Sequence, residues 1–248
     1  MPSLDDHGKL GAAVIPFYVP ILVASAVVVF RHGFGRNTGW IYLLLFSIIR
    51  ILGGALLVAA QLVRPVNENL YIAASILELA GLSPLLLATL GFVRTVASSA
   101  YREDVTMTRF FRLLYLLGTA AFVVSIYGGA NAVSNDPSTL KTSTTLRHVG
   151  SILFAVLYIL LVFVHAMCWT DASALNRHRR MLLTGISLAL PFLGVRMAYS
   201  ILSSYSGSPI PGSPSAHSSL RKFNLSNGTW WIYLVMALLM EYIVVCIY

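Results

Sequence analysis

An arginine in the middle of an apolar segment is the first residue of this chain that could do chemistry. Arg196 lies within the run Pro191–Ser200, which is otherwise mostly apolar. A charged side chain at the centre of a bilayer costs roughly 2.5 kcal/mol or more, so a second charge must compensate it. Three further ionisable residues lie in other apolar segments: Arg50, Glu78 and Glu241. We therefore expect two bases and two acids to face the interior of the protein as a set without net charge.

Buried carboxyl groups can act as acids. A carboxyl group kept from water can hold its proton at neutral pH and donate it to a substrate, and aromatic rings can stabilise the cation that forms. The sequence has no phosphate-binding loop, dinucleotide-binding glycine run, nucleophile elbow, HExxH motif or repeated histidine box. Acid chemistry in an internal cavity is therefore the enzymatic hypothesis. Buried ion pairs that only fix the register of the helices are the alternative.

The composition is that of a membrane protein. Of 248 residues, 57% are hydrophobic and 10% are charged, against about 25% charged residues in soluble domains. Helices of about 20 apolar residues span a hydrocarbon core of roughly 30 Å. The sequence predicts an all-α polytopic membrane protein, a single domain (1–248) formed by one bundle of seven transmembrane helices. These helices are predicted at about 11–30, 39–63, 71–93, 110–131, 148–170, 180–203 and 230–248.

The helical rise converts positions in these segments into depths. At 1.5 Å per residue, Arg50 and Glu241 each lie roughly 16 Å inside their helices, near the midplane, whereas Glu78 and Arg196 lie in the outer half. The depths predict the pairs Arg50–Glu241 and Arg196–Glu78. The swapped pairing stays open, because the predicted helix ends are uncertain by several residues.

Two tyrosines are assigned to the predicted cavity or its ion pairs. Tyr199 shares a helical face with Arg196. Tyr158 lies in a polar and aromatic stripe that begins at His148 and ends at His165. The two histidines are about 25 Å apart along the helix, too far to share a metal ion.

Small residues, prolines and aromatic residues predict local features of the helices. Gly53 and Gly54 are small enough to allow close approach of a neighbouring helix. Pro84 predicts a kink in the third helix. An aromatic belt at the membrane interface is predicted for Trp230, Trp231 and Tyr233.

The basic residues indicate topology. The formal net charge of +8 is divided among short loops that flank apolar helices, which indicates contact with lipid headgroups rather than nucleic acid. Basic residues are densest in the loops 31–38, 94–109 and 171–179. This predicts an N-terminus outside or in a lumen and a cytoplasmic C-terminus. The expected membrane is that of the endoplasmic reticulum or another endomembrane. Asn224 and Asn227 then fall in an outer loop as candidate glycosylation sites.

No cofactor or metal site is predicted. Cys168 and Cys246 provide neither a disulfide framework nor a set of metal ligands. The expected partners are the membrane itself and a hydrophobic small molecule or lipid.

Three segments carry a family resemblance. Phe46–Gly54, Pro191–Ser200 and Met240–Tyr248 resemble segments of a broad group of fungal seven-helix membrane proteins without settled function. In size, helix number and its two isolated membrane acids, Glu78 and Glu241, the chain also looks like the membrane-bound terpene cyclases of fungal meroterpenoid biosynthesis. That resemblance implies that a membrane-embedded acid protonates an epoxide or alkene of a prenylated substrate.

Under that resemblance the two acids have different roles. Glu241 is the expected proton donor, because Tyr233 and Tyr242 lie near it on the same helix and its depth suits a long isoprenoid tail. Glu78 is the expected ionised partner of Arg196. A non-enzymatic transporter of lipids or small molecules, or a receptor-like membrane protein, is the alternative function.

Overall fold

Helices make up the described structure. The computed structural model describes residues 5–32, 39–63, 68–100, 105–131, 136–170, 176–206, 220–224 and 228–248, and within these ranges no β-strand occurs. Seven helical segments in them are long and apolar enough to cross a membrane: Asp6–Arg31, Trp40–Leu62, Leu70–Ser98, Val105–Ala130, Ser138–Thr170, Arg177–Tyr205 and Trp230–Ile247. The predicted all-α bundle of seven transmembrane helices is confirmed.

The helices occur in the predicted order along the chain. The first five are α1 (Asp6–His32), α2 (Trp40–Leu62), α3 (Glu68–Ala80), α4 (Leu82–Ala100) and α5 (Val105–Ala130). They are followed by α6 (Pro137–Thr170), α7 (Arg177–Tyr205) and a short 3-10 helix, Arg221–Phe223. The last span consists of α8 (Trp230–Tyr233), a π-helical stretch (Leu234–Leu239) and α9 (Met240–Ile247).

The helix α6 begins at Pro137 rather than at about residue 148. Asp136 accepts hydrogen bonds from the hydroxyls of Ser138 and Thr139 at 2.6 and 3.1 Å, and these bonds lower the pKa of its carboxyl group. An acidic cap of this kind stabilises a helix start. The added turns are polar, so the apolar length that guided the prediction did not include them.

The predicted kink in the third span occurs as a break at Gly81. Gly81 separates α3 from α4 and lies three residues before Pro84, whose ring and missing backbone N–H disturb the preceding turn of a helix. This span is also the centre of the bundle: 88% of its most apolar stretch is buried, against 22 to 44% in the other six. The break therefore lies within the protein and not against lipid.

The surface of the bundle is apolar. Large hydrophobic side chains are widely exposed on α1 and α6, for example Phe30 (74%), Phe17 (58%), Ile159 (64%) and Phe163 (60%). Exposed apolar surface of this extent needs a non-aqueous surrounding. The chain is a multi-pass membrane protein.

The helices α1 and α2 approach closely at a glycine contact. A Cβ atom added to Gly54 would lie 2.6 Å from the backbone oxygen of Gly11, a distance that requires the backbone to shift. A Cβ atom on the adjacent Gly53 would meet nothing closer than the Cβ of Leu77, at an ordinary 3.5 Å. Of the two predicted packing glycines, only Gly54 thus requires the absence of a side chain.

We expect Gly54→Ala to destabilise the protein and Gly53→Ala to leave it stable. Forcing a methyl group against the backbone of α1 should cost about 1 to 3 kcal/mol, as overpacking does in other interiors. Thermal melting of both variants in the same detergent measures the difference. Equal melting temperatures for the two variants would contradict the close contact of α1 with α2.

Candidate functional site

The four membrane charges are buried together. Relative side-chain exposure is 2% for Arg50, 12% for Glu78, 4% for Arg196 and 0% for Glu241. The residues lie on α2, α3, α7 and α9, and each is roughly 9 to 15 Å from the nearer end of its span at 1.5 Å per residue. All four therefore lie within the membrane-spanning part of the bundle and face its interior.

Arg50 bridges the two acids. Its Nη1 atom donates a hydrogen bond to Oε1 of Glu78 at 2.9 Å, and its Nη2 atom forms an ion pair with Oε2 of Glu241. The Nε atom of Arg196 donates to Oε1 of Glu241 at 2.5 Å. The charges thus form a linear network, Glu78–Arg50–Glu241–Arg196, which we call the charge network.

One predicted pair differs in the structure. Arg50 contacts Glu241 as the depths predicted, but the guanidinium of Arg196 pairs with Glu241 and not with the carboxylate of Glu78. Arg196 reaches Glu78 only through a 3.5 Å hydrogen bond from Nη2 to the backbone oxygen. The reason is burial: a carboxylate without access to water needs compensating positive charge, and each oxygen of Glu241 lies against one arginine.

The π-helical stretch Leu234–Leu239 helps to orient Glu241. Tyr233 precedes the stretch, and in a regular α-helix two residues eight positions apart would point about 80° apart. A π-helix rotates less per residue, so it turns Glu241 back toward the face of Tyr233. Both side chains consequently reach the charge network.

Tyr233 is a part of the site that the sequence pattern assigned elsewhere. Its hydroxyl donates a hydrogen bond to Oε1 of Glu78, and only 5% of the residue is exposed. The predicted interfacial belt is therefore wrong for Tyr233, whereas Trp231 is 57% exposed and stacks on Trp230 at 4.0 Å. The aromatic cluster in the sequence gave no signal that its third member turns inward.

Gly81 and Phe46 enclose the guanidinium of Arg50. The Cζ atom of Arg50 lies 5.8 Å from the centre of the Phe46 ring. A Cβ atom added to Gly81 would lie 3.3 Å from Nε of Arg50. The break between α3 and α4 therefore makes room for the bridging arginine, and a glycine three residues after Glu78 was the available sequence signal.

Tyr199 is the predicted tyrosine that joins the charge network. Its ring lies 5.7 Å from Cζ of Arg196 and 6.2 Å from the ring of Tyr233. The buried Tyr18 adds a further ring, at 5.7 Å from Phe46. The charges are thus surrounded by aromatic faces, which attract cations.

Tyr158 lies apart from these charges. The stripe on α6 instead forms hydrogen bonds with α7. Nε2 of His148 lies 3.1 Å from the backbone oxygen of Ser204, and the hydroxyl of Tyr158 donates to the backbone oxygen of Leu190 at 2.9 Å. Nε2 of His165 lies 2.8 Å from Oγ of Ser187. The polar and aromatic pattern on α6 therefore marks a contact between two helices.

The proposed glycosylation sites receive no support. Asn224 is 4% exposed, and its backbone oxygen accepts from the N–H of Gly228 at 3.0 Å. A glycan cannot be accommodated on a buried side chain, so Asn224 does not fit that assignment. Asn227 lies outside the described residues.

One carboxyl oxygen of the charge network has neither a hydrogen bond nor an ion pair among the described residues. Both oxygens of Glu241 contact guanidinium groups, and Oε1 of Glu78 accepts from Arg50 and Tyr233. The Oε2 atom of Glu78 is buried and has no hydrogen-bond partner among the described residues. Buried polar atoms are usually bonded, so this oxygen is the position where a substrate or a water molecule would bind.

The chain matches a known protein family. Residues 4–248 match the model of a family described as a domain of unknown function, DUF7702. No curated protein and no solved structure matches the chain significantly.

We expect the double substitution Arg196→Leu with Glu241→Leu to be less damaging than either single substitution. Each single change leaves a buried charge without compensation and should cost about 3 to 5 kcal/mol, whereas replacing both partners can be nearly neutral. In the double variant Arg50 and Glu78 remain as a pair. Thermal melting in detergent measures all three stabilities.

A second double substitution tests the bridging role of Arg50. Removing Arg50 together with Glu78 leaves Arg196 paired with Glu241, so this variant should also fold. Removing Arg50 alone should destabilise the protein, because two carboxylates then share Arg196. Strictly additive losses in both double variants would contradict the charge network.

Proposed function

The chain belongs to the DUF7702 family, and we propose that it is an integral membrane enzyme of small-molecule biosynthesis. In this proposal the enzyme resembles terpene cyclases and protonates an epoxide or alkene of a prenylated substrate within the bundle. The observation that carries the proposal is the unpartnered, buried Oε2 atom of Glu78 beside a network of compensating charges.

The hydrogen bonds favour Glu78 rather than Glu241 as the acid. A carboxyl group donates a proton only if one oxygen carries it, and an ionised carboxylate is an acceptor alone. Both oxygens of Glu241 face guanidinium donors, so it acts as the fixed anion of the network. Glu78 can carry a proton on Oε2 while Oε1 keeps its bonds to Arg50 and Tyr233.

The reaction balances without an added reagent. The proton of Glu78 passes to the epoxide oxygen, the adjacent C–O bond breaks, and the π electrons of a nearby alkene form a new C–C bond. The last carbocation loses a proton, which returns to Glu78 directly or through water. The epoxide oxygen becomes a hydroxyl group, so the product is an isomer of the substrate.

Aromatic rings around the charge network support this chemistry. Tyr18, Phe46, Tyr199 and Tyr233 are all buried near the four charges. The faces of such rings attract positive charge, at about 0.5 to 2 kcal/mol for each cation–π contact. An apolar site also protects a carbocation from water. Phe46 and Tyr199 already lie near the guanidinium groups of Arg50 and Arg196, so rings at this site accept a neighbouring positive charge.

A carrier for a lipid or small molecule is the second candidate. The observation that favours it is the break at Gly81 between α3 and α4, next to Arg50 and near the midplane. Transporters often bind their substrates at interrupted helices at this depth. A carrier would move its ligand without changing it, whereas a cyclase releases an isomer.

The proposal places the protein in the endoplasmic reticulum or another endomembrane, with the N-terminus in the lumen. The positions of several arginines support this orientation. One end of the bundle, where α1 ends and α7 begins, carries Arg31, Arg94, Arg109 and Arg177. Positive residues favour the cytoplasmic side.

We expect Glu78→Gln to abolish formation of the cyclised product while folded protein is still obtained. Glutamine keeps an oxygen for Arg50 and Tyr233 but cannot deliver a carboxylic proton. The measurement is product analysis by mass spectrometry after microsomes are incubated with a prenylated epoxide, normalised to folded protein. Glu78→Asp retains an acid and should keep part of the activity.

The matched control is Glu241→Gln. This change leaves two buried guanidinium groups on a neutral amide, so folded yield and total activity should fall together. Full turnover by folded Glu78→Gln would exclude Glu78 as the acid. Transport of unchanged substrate into sealed vesicles, without product, would favour the carrier.

Glycosylation tags test the orientation. A tag with an acceptor sequence before Met1 should be glycosylated in microsomes, and the same tag after Tyr248 should not, because only lumenal acceptors are modified. A shift in gel mobility that endoglycosidase removes is the readout. Modification of the C-terminal tag alone would reverse the proposed orientation.

A further inference from the structure

A second site lies toward the other end of the bundle from Glu78. A pocket of about 420 Å³ is formed where α2 begins, α4 approaches its end and α5 begins. This volume is within the range of roughly 300 to 1,000 Å³ that small-molecule sites occupy. The lining residues used below are Tyr42, Arg94, Arg112, Tyr115, Leu116 and Thr119.

Two arginines give this pocket its charge. Arg94 and Arg112 both line it, and neither forms a salt bridge with an acid among the described residues. They thus differ from Arg50 and Arg196, which are held by carboxylates. Two guanidinium groups at a pocket whose described lining contains no carboxylate favour an anionic ligand, and their planar forks match phosphate oxygens.

Aromatic packing holds one of these arginines in place. The Cζ atom of Arg94 lies 6.0 Å from the centre of the Tyr115 ring, and Tyr115 stacks on Tyr42 at 5.9 Å. Arg94 is partly buried. Its position is therefore defined before any ligand binds, which distinguishes it from a freely moving surface arginine.

The pocket is open on the side that faces lipid. Leu116 lines it and is 59% exposed. Along α5 the lining continues from Arg112 to Thr119, seven residues or roughly 10 Å deeper into the membrane. A ligand with a charged group at the arginines can thus extend an apolar chain along α5 within the bilayer.

We propose that this pocket binds the phosphate headgroup of an anionic phospholipid from the surrounding bilayer. The phosphate lies between Arg94 and Arg112, and an acyl chain follows α5 past Leu116. Basic pockets between transmembrane helices are suited to such headgroups. The site is separate from the charge network and independent of the proposed reaction.

The test is a lipid titration of the purified full chain in phosphatidylcholine nanodiscs. Dioleoyl phosphatidic acid should raise the melting temperature in a saturable manner, because a ligand of the folded state stabilises it. Arg94→Gln and Arg112→Gln should each weaken the apparent affinity about tenfold or more, the effect of one lost charge-assisted hydrogen bond. Arg109→Gln is the matched control, since Arg109 is exposed on the same helix but does not line the pocket.

The outcomes separate the sources of the phosphate. Inorganic phosphate should produce no comparable shift; if it does and Arg112→Gln removes the shift, the ligand is a soluble phosphate and the lipid proposal is wrong. Equal responses of all three variants to phosphatidic acid would indicate attraction to the basic surface alone and would overturn the site. Melting of each variant in pure phosphatidylcholine shows that it is folded, so a lost response cannot be attributed to unfolding.

Discussion

The burial of Glu241 between two guanidinium groups is the interaction on which the bundle depends. A carboxylate with no exposed surface has no water to satisfy its oxygens, and the membrane offers no other donor. Arg50 and Arg196 supply those donors from α2 and α7. Each arginine would in turn be costly in an apolar interior without a carboxylate. The helices α2, α7 and α9 are therefore fixed relative to one another by charge as well as by packing.

This constraint assigns different roles to two acids that look equivalent in the sequence. Glu241 forms an ion pair through each oxygen and is fully buried. Glu78 shares Arg50 with it, gains a bond from Tyr233 and keeps one oxygen without a partner. Arg50 can bridge both acids because the chain is interrupted at Gly81, where a side chain would press on its guanidinium. A break in a helix and an unsatisfied oxygen thus occur at the same place.

Segment length and the cost of buried charge were sufficient to predict the number of spans and the inward direction of the four charges, because both quantities depend on sequence alone. Contacts between the charges could not be predicted in the same way. Depth along a helix follows from a constant rise, but the direction of a side chain depends on rotation, and the π-helical stretch before Met240 changes the rotation of Glu241. The same irregularity explains why Tyr233, one member of an aromatic cluster, points inward while Trp231 is exposed. Likewise, Pro84 predicted a disturbance of the third helix, but not that the break would lie at Gly81, beside the guanidinium of Arg50.

Charge balance connects the network to the proposed reaction. With both acids ionised, the two arginines and two glutamates carry no net charge. When Glu78 holds a proton, the network has one excess positive charge in an environment that penalises it. Transfer of that proton to a substrate restores neutrality in the network and moves the positive charge onto the substrate, among the rings of Tyr18, Phe46 and Tyr199. Return of the proton at the end of the reaction would reload the network at Oε2 of Glu78, while Glu241 and the arginines keep their contacts throughout. In the proposed reaction the fixed charges would favour general acid catalysis, because the surrounding dipoles need not reorganise when the proton moves.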